Sequence, residues 1–153
     1  MGTDVYLEWK GMTEEDKEKR YTGYSIEAGN VGYLRASIGM IEENRVLRAI
    51  FPEKLWKASG ALLYDFKGNE QLIVKIIKNY LAGNTVDVQG REDERVNFGK
   101  VVAEMIKKMA GDDAQIFASD SADKVWAKSV LEFCVLGIKL QKENKKPKVN
   151  ISW

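Results

Sequence analysis

Acid–base and nucleophilic chemistry in this chain falls to carboxylates, Lys, Tyr, Arg and one thiol, because its 153 residues include no histidine and a single cysteine. That composition excludes Ser-His-Asp and Cys-His catalysis within the chain, His-ligated zinc or haem, and an internal disulfide. Two carboxylates on one helix face would serve as an acid/base pair or hold a hard cation. The candidates are Glu42 and Glu43, and the aspartates Asp112, Asp113, Asp120 and Asp123. Adjacent helical residues point about 100° apart, so Glu42 and Glu43 are expected to diverge. The aspartates flank a short segment, Ala114 to Ala118, and are expected to cap helices. The EF-hand spacing is absent, and no metal site or cofactor is assigned.

Ser121-Ala122-Asp123-Lys124 matches the S-x-x-K string of serine acyl-enzymes. The companion S-D-N and K-T-G strings are missing, so Ser121 reads as part of a helix cap. Cys134 sits in the apolar run VLEFCVLG and is expected to be a buried, inert thiol. Gly29-Asn30-Val31-Gly32 has glycines at a loop, but lacks the lysine of a P-loop and the full dinucleotide fingerprint. Its plain reading is a turn that needs positive φ; its functional reading is a cradle of backbone N–H groups for an anion.

The most suggestive feature is a concentration of Tyr21, Tyr24, Tyr33, Arg35, Arg45, Arg48, Trp56 and Tyr64 around that loop. Aromatic rings beside arginine are the currency of ligand pockets and interfaces, although they also fill cores. A site built here uses Gly29 and Gly32 for close backbone approach, Tyr24 and Tyr33 for flat surface with a hydroxyl, and Arg35 as a positive fork. The expected partner is a small anionic molecule or another protein. No catalytic residue is assigned.

Charge narrows the partners. There are 24 Lys and Arg against 23 Asp and Glu, a net charge of +1, so nucleic acid is not the expected partner. The tail from Gly137 to Trp153 holds five lysines and one glutamate, which complement a helix C-terminus. The apolar stretch Val125 to Leu140 is broken by Lys128, Glu132 and Lys139, so no membrane span is expected. The N-terminus lacks the pattern of a signal peptide, and the expected compartment is the cytoplasm.

The elements that must position these residues follow from periodicity. Asp4 to Lys10 alternates and predicts a strand. Thr13 is placed to cap a short acidic-to-basic helix. A helix is expected to begin at Tyr33-Leu34, since Leu34, Ile38 and Ile41 fall at i, i+4 and i+7. Leu47, Ile50, Phe51, Leu55 and Ala58 predict two helices, with Pro52 in the first turn of the second and Gly60 stopping it. Leu72 to Leu81 predicts an amphipathic helix closed by Gly83, and Thr85 to Val88 a short strand. Phe98 to Met109 carries the cleanest helical stripe. Asp120 opens a last helix, apolar over much of its circumference and therefore expected to be central; Pro147 ends it. Val149 to Trp153 reads as a closing strand. The predicted architecture is a single α+β domain spanning residues 1–153, predominantly helical, with a small antiparallel sheet pairing the N- and C-terminal strands. The helices Phe98–Met109 and Val125–Leu140 are expected to form the main core. The expected function is a small binding module without catalysis; the alternative is an enzyme using carboxylate, Tyr, Lys or Arg groups.

Overall fold

The computed structural model describes residues 2–22, 24–25, 29–88 and 120–153, with the side chains of residues 22, 24, 25 and 120–122 outside the description. The expected helix Phe98–Met109, its pairing with the last helix, and the expected strand Ala114–Ala118 lie outside the described residues, as do Asp112 and Asp113. The elements run β1 (Gly2–Glu8), α1 (Glu14–Thr22), β2 (Tyr24–Ser25), β3 (Gly29–Asn30), β4 (Tyr33–Ser37), α2 (Ile41–Ile50), α3 (Glu53–Lys57), β5 (Leu62–Leu63), α4 (Glu70–Leu81), α5 (Asp120–Lys142) and β6 (Lys148–Ser152).

The predicted pairing of the two terminal strands is present. β1 lies antiparallel to β6, with Val5 opposite Ile151 and Leu7 opposite Val149. The sheet order is β4-β1-β6-β5, all antiparallel, and β2 and β3 form a separate two-stranded ribbon. Period-two alternation divides the sheet. Thr3, Val5, Leu7, Leu34, Ala36, Val149 and Ile151 are buried on one face. Asp4, Tyr6, Tyr33, Arg35 and Asn150 stand on the other.

The segment from Tyr33 to Ser37 is a strand, not the start of a helix. Leu34 and Ile38 do fall at helical spacing, but Leu34 and Ala36 are both buried, which is the two-residue period of a strand. Pairing with β1, from Tyr6↔Tyr33 to Gly2↔Ser37, outweighs the local pattern. The helix begins only at Ile41. Pro52 immediately precedes α3, and α3 stops at Lys57, before Gly60. Residues 84–88 form no strand; Val86 and Val88 are buried, and the Val86 N–H donates to a Glu42 carboxylate oxygen at 3.3 Å.

The start of α1 and the end of α5 are locally specified. Thr13 and Asp16 cap α1 reciprocally: the Asp16 N–H donates to Thr13 Oγ1 at 3.1 Å, and the Thr13 N–H to Asp16 Oδ2 at 3.0 Å. α5 ends in a Schellman arrangement. The Lys145 N–H reaches Leu140 O at 2.9 Å and the Asn144 N–H reaches Gln141 O at 3.0 Å, with Asn144 left-handed at φ 57°.

α5 is not buried all round. Ala127, Val130, Phe133, Cys134 and Leu140 face the core, but Val125 and Val135 are 68% and 63% exposed. Among the described residues it is an amphipathic surface helix, and its outward apolar residues are available for something other than the core. Phe133 on its inner face meets Phe51 and Phe66, and these join Tyr64 in edge-to-face contacts, centroids 4.7–6.2 Å apart. Among the described residues, no helix is long and apolar enough to cross a membrane.

Burial pushes the Cys134 thiol up to about 12. Native protein is therefore expected to react slowly with a maleimide at pH 7.5 and quickly in denaturant; rapid native labelling would contradict the packing of α5.

Candidate functional site

The five residues expected to form a ligand site are split by the strand geometry. Residues two apart on a strand share a face, so Tyr33 and Arg35 both stand on the open side of the sheet. There they converge on one carboxylate: the Tyr33 hydroxyl donates to Asp4 Oδ1 at 2.5 Å and Arg35 Nη1 donates to the same oxygen at 2.9 Å. Burial and the Asp4 carboxylate hold the Tyr33 hydroxyl above its usual range. The Tyr6 ring packs on Tyr33 at 5.1 Å and on Tyr21 at 6.4 Å, and the Arg20 guanidinium lies 5.3 Å from Tyr6. Arg35 is thus committed to Asp4, and this face holds a closed ion-pair and aromatic network.

Gly29 and Gly32 lie on the other side of the problem. Both have left-handed φ, 74° and 105°. Their loop is tied down from within. The Gly32 N–H donates to the Asn30 side-chain oxygen at 2.8 Å, and the Leu7 N–H reaches back to Gly32 O at 2.9 Å. The Asn30 N–H donates to Glu132 Oε2 at 2.7 Å, and the Asn30 amide reaches Ser129 Oγ at 2.8 Å. A Cβ on Gly29 would sit 1.8 Å from that Glu132 oxygen, so glycine is what lets α5 place its carboxylate against the loop. One carboxylate does meet a backbone donor of the loop, and it is the chain's own Glu132 on the Asn30 N–H. Tyr24 pairs with Asn30 through the β2–β3 backbone, and its side chain lies outside the described residues.

Of the remaining members of the aromatic cluster, Tyr21 is exposed, Arg45 is half-buried with its Nε donating to Val86 O at 2.8 Å, and Arg48, Trp56 and Tyr64 are core residues. Arg48 is buried with its guanidinium 3.7 Å from the Trp56 ring and 4.9 Å from Trp153, and the Trp56 indole N–H donates to Phe51 O. Tyr64 is buried with its hydroxyl donating to Ile50 O at 2.9 Å.

What the docking of this loop on α5 creates is a cleft of about 490 Å³. Its walls are Trp9 from the β1–α1 connection, Val31 from the glycine loop, and Val135 and Leu136 from α5. Asp16, Lys19, Glu132 and Lys139 contribute its ionisable groups. The two acids are already engaged. The Thr13 backbone N–H holds the Asp16 carboxyl below its usual range, and Glu132 accepts from Asn30. Trp9, Val135, Leu136 and Lys139 carried no motif. The available signals were the surplus of apolar residues around the last helix and the tryptophan where the strand alternation ends.

Glu42 and Glu43 diverge as their spacing requires. Glu42 turns to Val86, whereas Glu43 is buried at the junction of α2, α4 and α5. Burial, aided by Asp123, pushes its carboxyl up to about 7. Asp123 is no helix cap: its carboxylate accepts the Tyr80 hydroxyl at 3.1 Å across the α4–α5 interface. Burial holds that hydroxyl above its usual range. Among the described residues no group of three or more His, Cys, Asp or Glu could hold a metal ion. Comparison with known proteins finds no matching family model, no matching curated protein and no matching solved structure.

Proposed function

We propose that this protein is a small-molecule binding module whose site is the cleft between α1, the glycine loop and α5. Its ligand has an apolar body and an anionic end. The observation that carries the reading is the division of labour inside the cleft: Trp9, Val31, Val135 and Leu136 supply an apolar wall, while both carboxylates already accept a backbone N–H, Asp16 from Thr13 and Glu132 from Asn30. At the rim the ammonium of Lys139 is placed to meet a carboxylate or phosphate, and Lys19 beside it is paired with Glu15 at 3.1 Å. A volume of about 490 Å³ suits a small organic molecule. The proposed setting is the cytoplasm, in keeping with a single, buried thiol.

The cluster of Glu43, Tyr80 and Asp123 favours the second reading, catalysis, because it joins a carboxyl of raised affinity for protons to an acceptor carboxylate. None of its members lines the cleft, so binding stands first.

The test is a screen of aromatic and branched-chain carboxylates by ligand-detected NMR. Val135 is exposed, so Val135→Glu fills and acidifies the cleft with little effect on folding. It is expected to weaken any hit at least tenfold while the melting temperature moves by less than about 2 °C. Hits that bind the variant unchanged would place the site elsewhere.

A further inference from the structure

We infer that the groove at the end of the sheet, where Lys10, Lys146 and Lys148 meet beside Trp9, is a second binding site, for a compact polyanion carrying two or more phosphate groups. The groove encloses about 350 Å³, with Glu8 as its remaining wall residue. The site is separate from the cleft on the other side of Trp9 and stands without it.

Topology brings these lysines together from chain positions more than 130 residues apart. The β1–β6 register sets Glu8 opposite Lys148, and one step further the Lys10 N–H donates to Lys145 O at 2.7 Å. Like charges on neighbouring strands repel. Among the described residues, no carboxylate lies within 4 Å of the ammonium of Lys10, Lys146 or Lys148. The one acid in the groove, Glu8, is drawn to Arg20 Nη1 at 3.7 Å. The backbone also works against itself at this point. Lys146 has a left-handed φ of 47°, a conformation uncommon for a residue of its type, and it is not the helix-capping position, which Asn144 already fills. In a chain of net charge +1, three lysines that line one groove, with no carboxylate within 4 Å of their ammonium groups among the described residues, form a local positive field.

The ligand class follows from the donor set. Lysine acts as a rotatable point charge and binds phosphate from several directions, whereas the fork of arginine holds a carboxylate or phosphate in one bidentate geometry. The nearest arginine, Arg20, is turned away, with its Nη1 donating to Leu7 O and its guanidinium against the rings of Tyr6 and Tyr21. Several charges packed into a small volume select a ligand whose charges are equally dense.

The experiment is isothermal titration of the full chain with inorganic tripolyphosphate at low salt. The expected result is saturable binding at one site, weakened at least fivefold by Lys10→Ala or Lys148→Ala and lost in the triple alanine variant, with Lys75→Ala on α4 as an unaffected control. Lys146→Gly keeps the left-handed backbone while deleting the ammonium, so it should melt no lower than the parent and still bind at least fivefold more weakly. Glu8→Gln should tighten binding. No saturable heat up to 1 mM, or a triple variant that binds like the parent, would overturn the site. Equal losses with Lys75→Ala would overturn its location, and citrate binding as tightly as tripolyphosphate would overturn the phosphate assignment.

Discussion

Replacing Glu43 with glutamine is expected to raise the melting temperature at pH 8 by about 4–8 °C and to leave it nearly unchanged at pH 4.5. Glu43 is only 9% exposed, and its carboxyl is pushed up to about 7 from an ordinary 4.5, first by burial and then by the charge of Asp123. A carboxyl that holds its proton more tightly in the folded state stabilises the fold below the unfolded value. That contribution is then withdrawn as pH rises through the folded value. The window is therefore about pH 4.5 to 7. A shift of this size corresponds to about 3 kcal/mol, and discounting it for partial solvent access leaves about 2 kcal/mol. Glutamine removes the ionisation and keeps the shape. Thermal melts of both proteins from pH 4.5 to 8 check this: the parent should lose stability across the window and the variant should not. Parallel curves would show that Glu43 is solvated.

Gly137→Ala is expected to lower the melting temperature by roughly 4–8 °C, although alanine is the better helix former. Gly137 lies within α5, and a Cβ there would meet the Phe66 ring at 2.4–2.7 Å. Phe66 is fully buried and held between Tyr64 and Phe133, so the ring has nowhere to move. Overpacking of this kind costs about 1–3 kcal/mol or more, against about 1 kcal/mol gained in helix propensity. With the Phe66 ring unable to move, the cost falls at the upper end, about 3 kcal/mol, and the expected balance is a net loss of about 2 kcal/mol. Calorimetry decides it. A variant as stable as the parent would mean that α5 stands further from Phe66.

Some of this structure was readable from local pattern. Val5, Leu7 and Trp9 alternate over a run bounded by Gly11, and Val149 and Ile151 do the same near the other terminus, so the strands and their pairing were legible. Thr13 and Asp16 announce a helix start because capping is chemistry between neighbours. Tyr33 to Ser37 was not legible as a strand. Its apolar residues fit both periods, and only the partner strand, some 30 residues away in sequence, decides between them. The last helix misled in the opposite direction, since abundant valine and leucine suggest burial on all sides. Val125 and Val135 show that two of those residues face outward instead.

The candidate site was less legible still. The glycine loop was recognisable as a special backbone, and it does border the cleft through Asn30 and Val31. The residue that completes it, Glu132, is about 100 positions distant and belongs to no motif. Tyr33 and Arg35 are close to the loop in sequence, but alternation along β4 sends them to the opposite face of the sheet. The lysines of the second groove were visible as a basic tail, whereas their meeting with Lys10 depends on the β1–β6 register.

The most direct test of the proposed binding cleft is chemical-shift mapping on uniformly labelled protein. Each hit from the carboxylate screen is titrated while backbone amides and tryptophan indoles are followed. The expected result is that the largest changes fall on the Trp9 indole and on the amides of Asn30, Val31, Val135 and Leu136, with Tyr33, Arg35 and Glu43 little affected. Changes centred on Tyr33 and Arg35, or on Glu43, Tyr80 and Asp123, with the cleft silent, would contradict it.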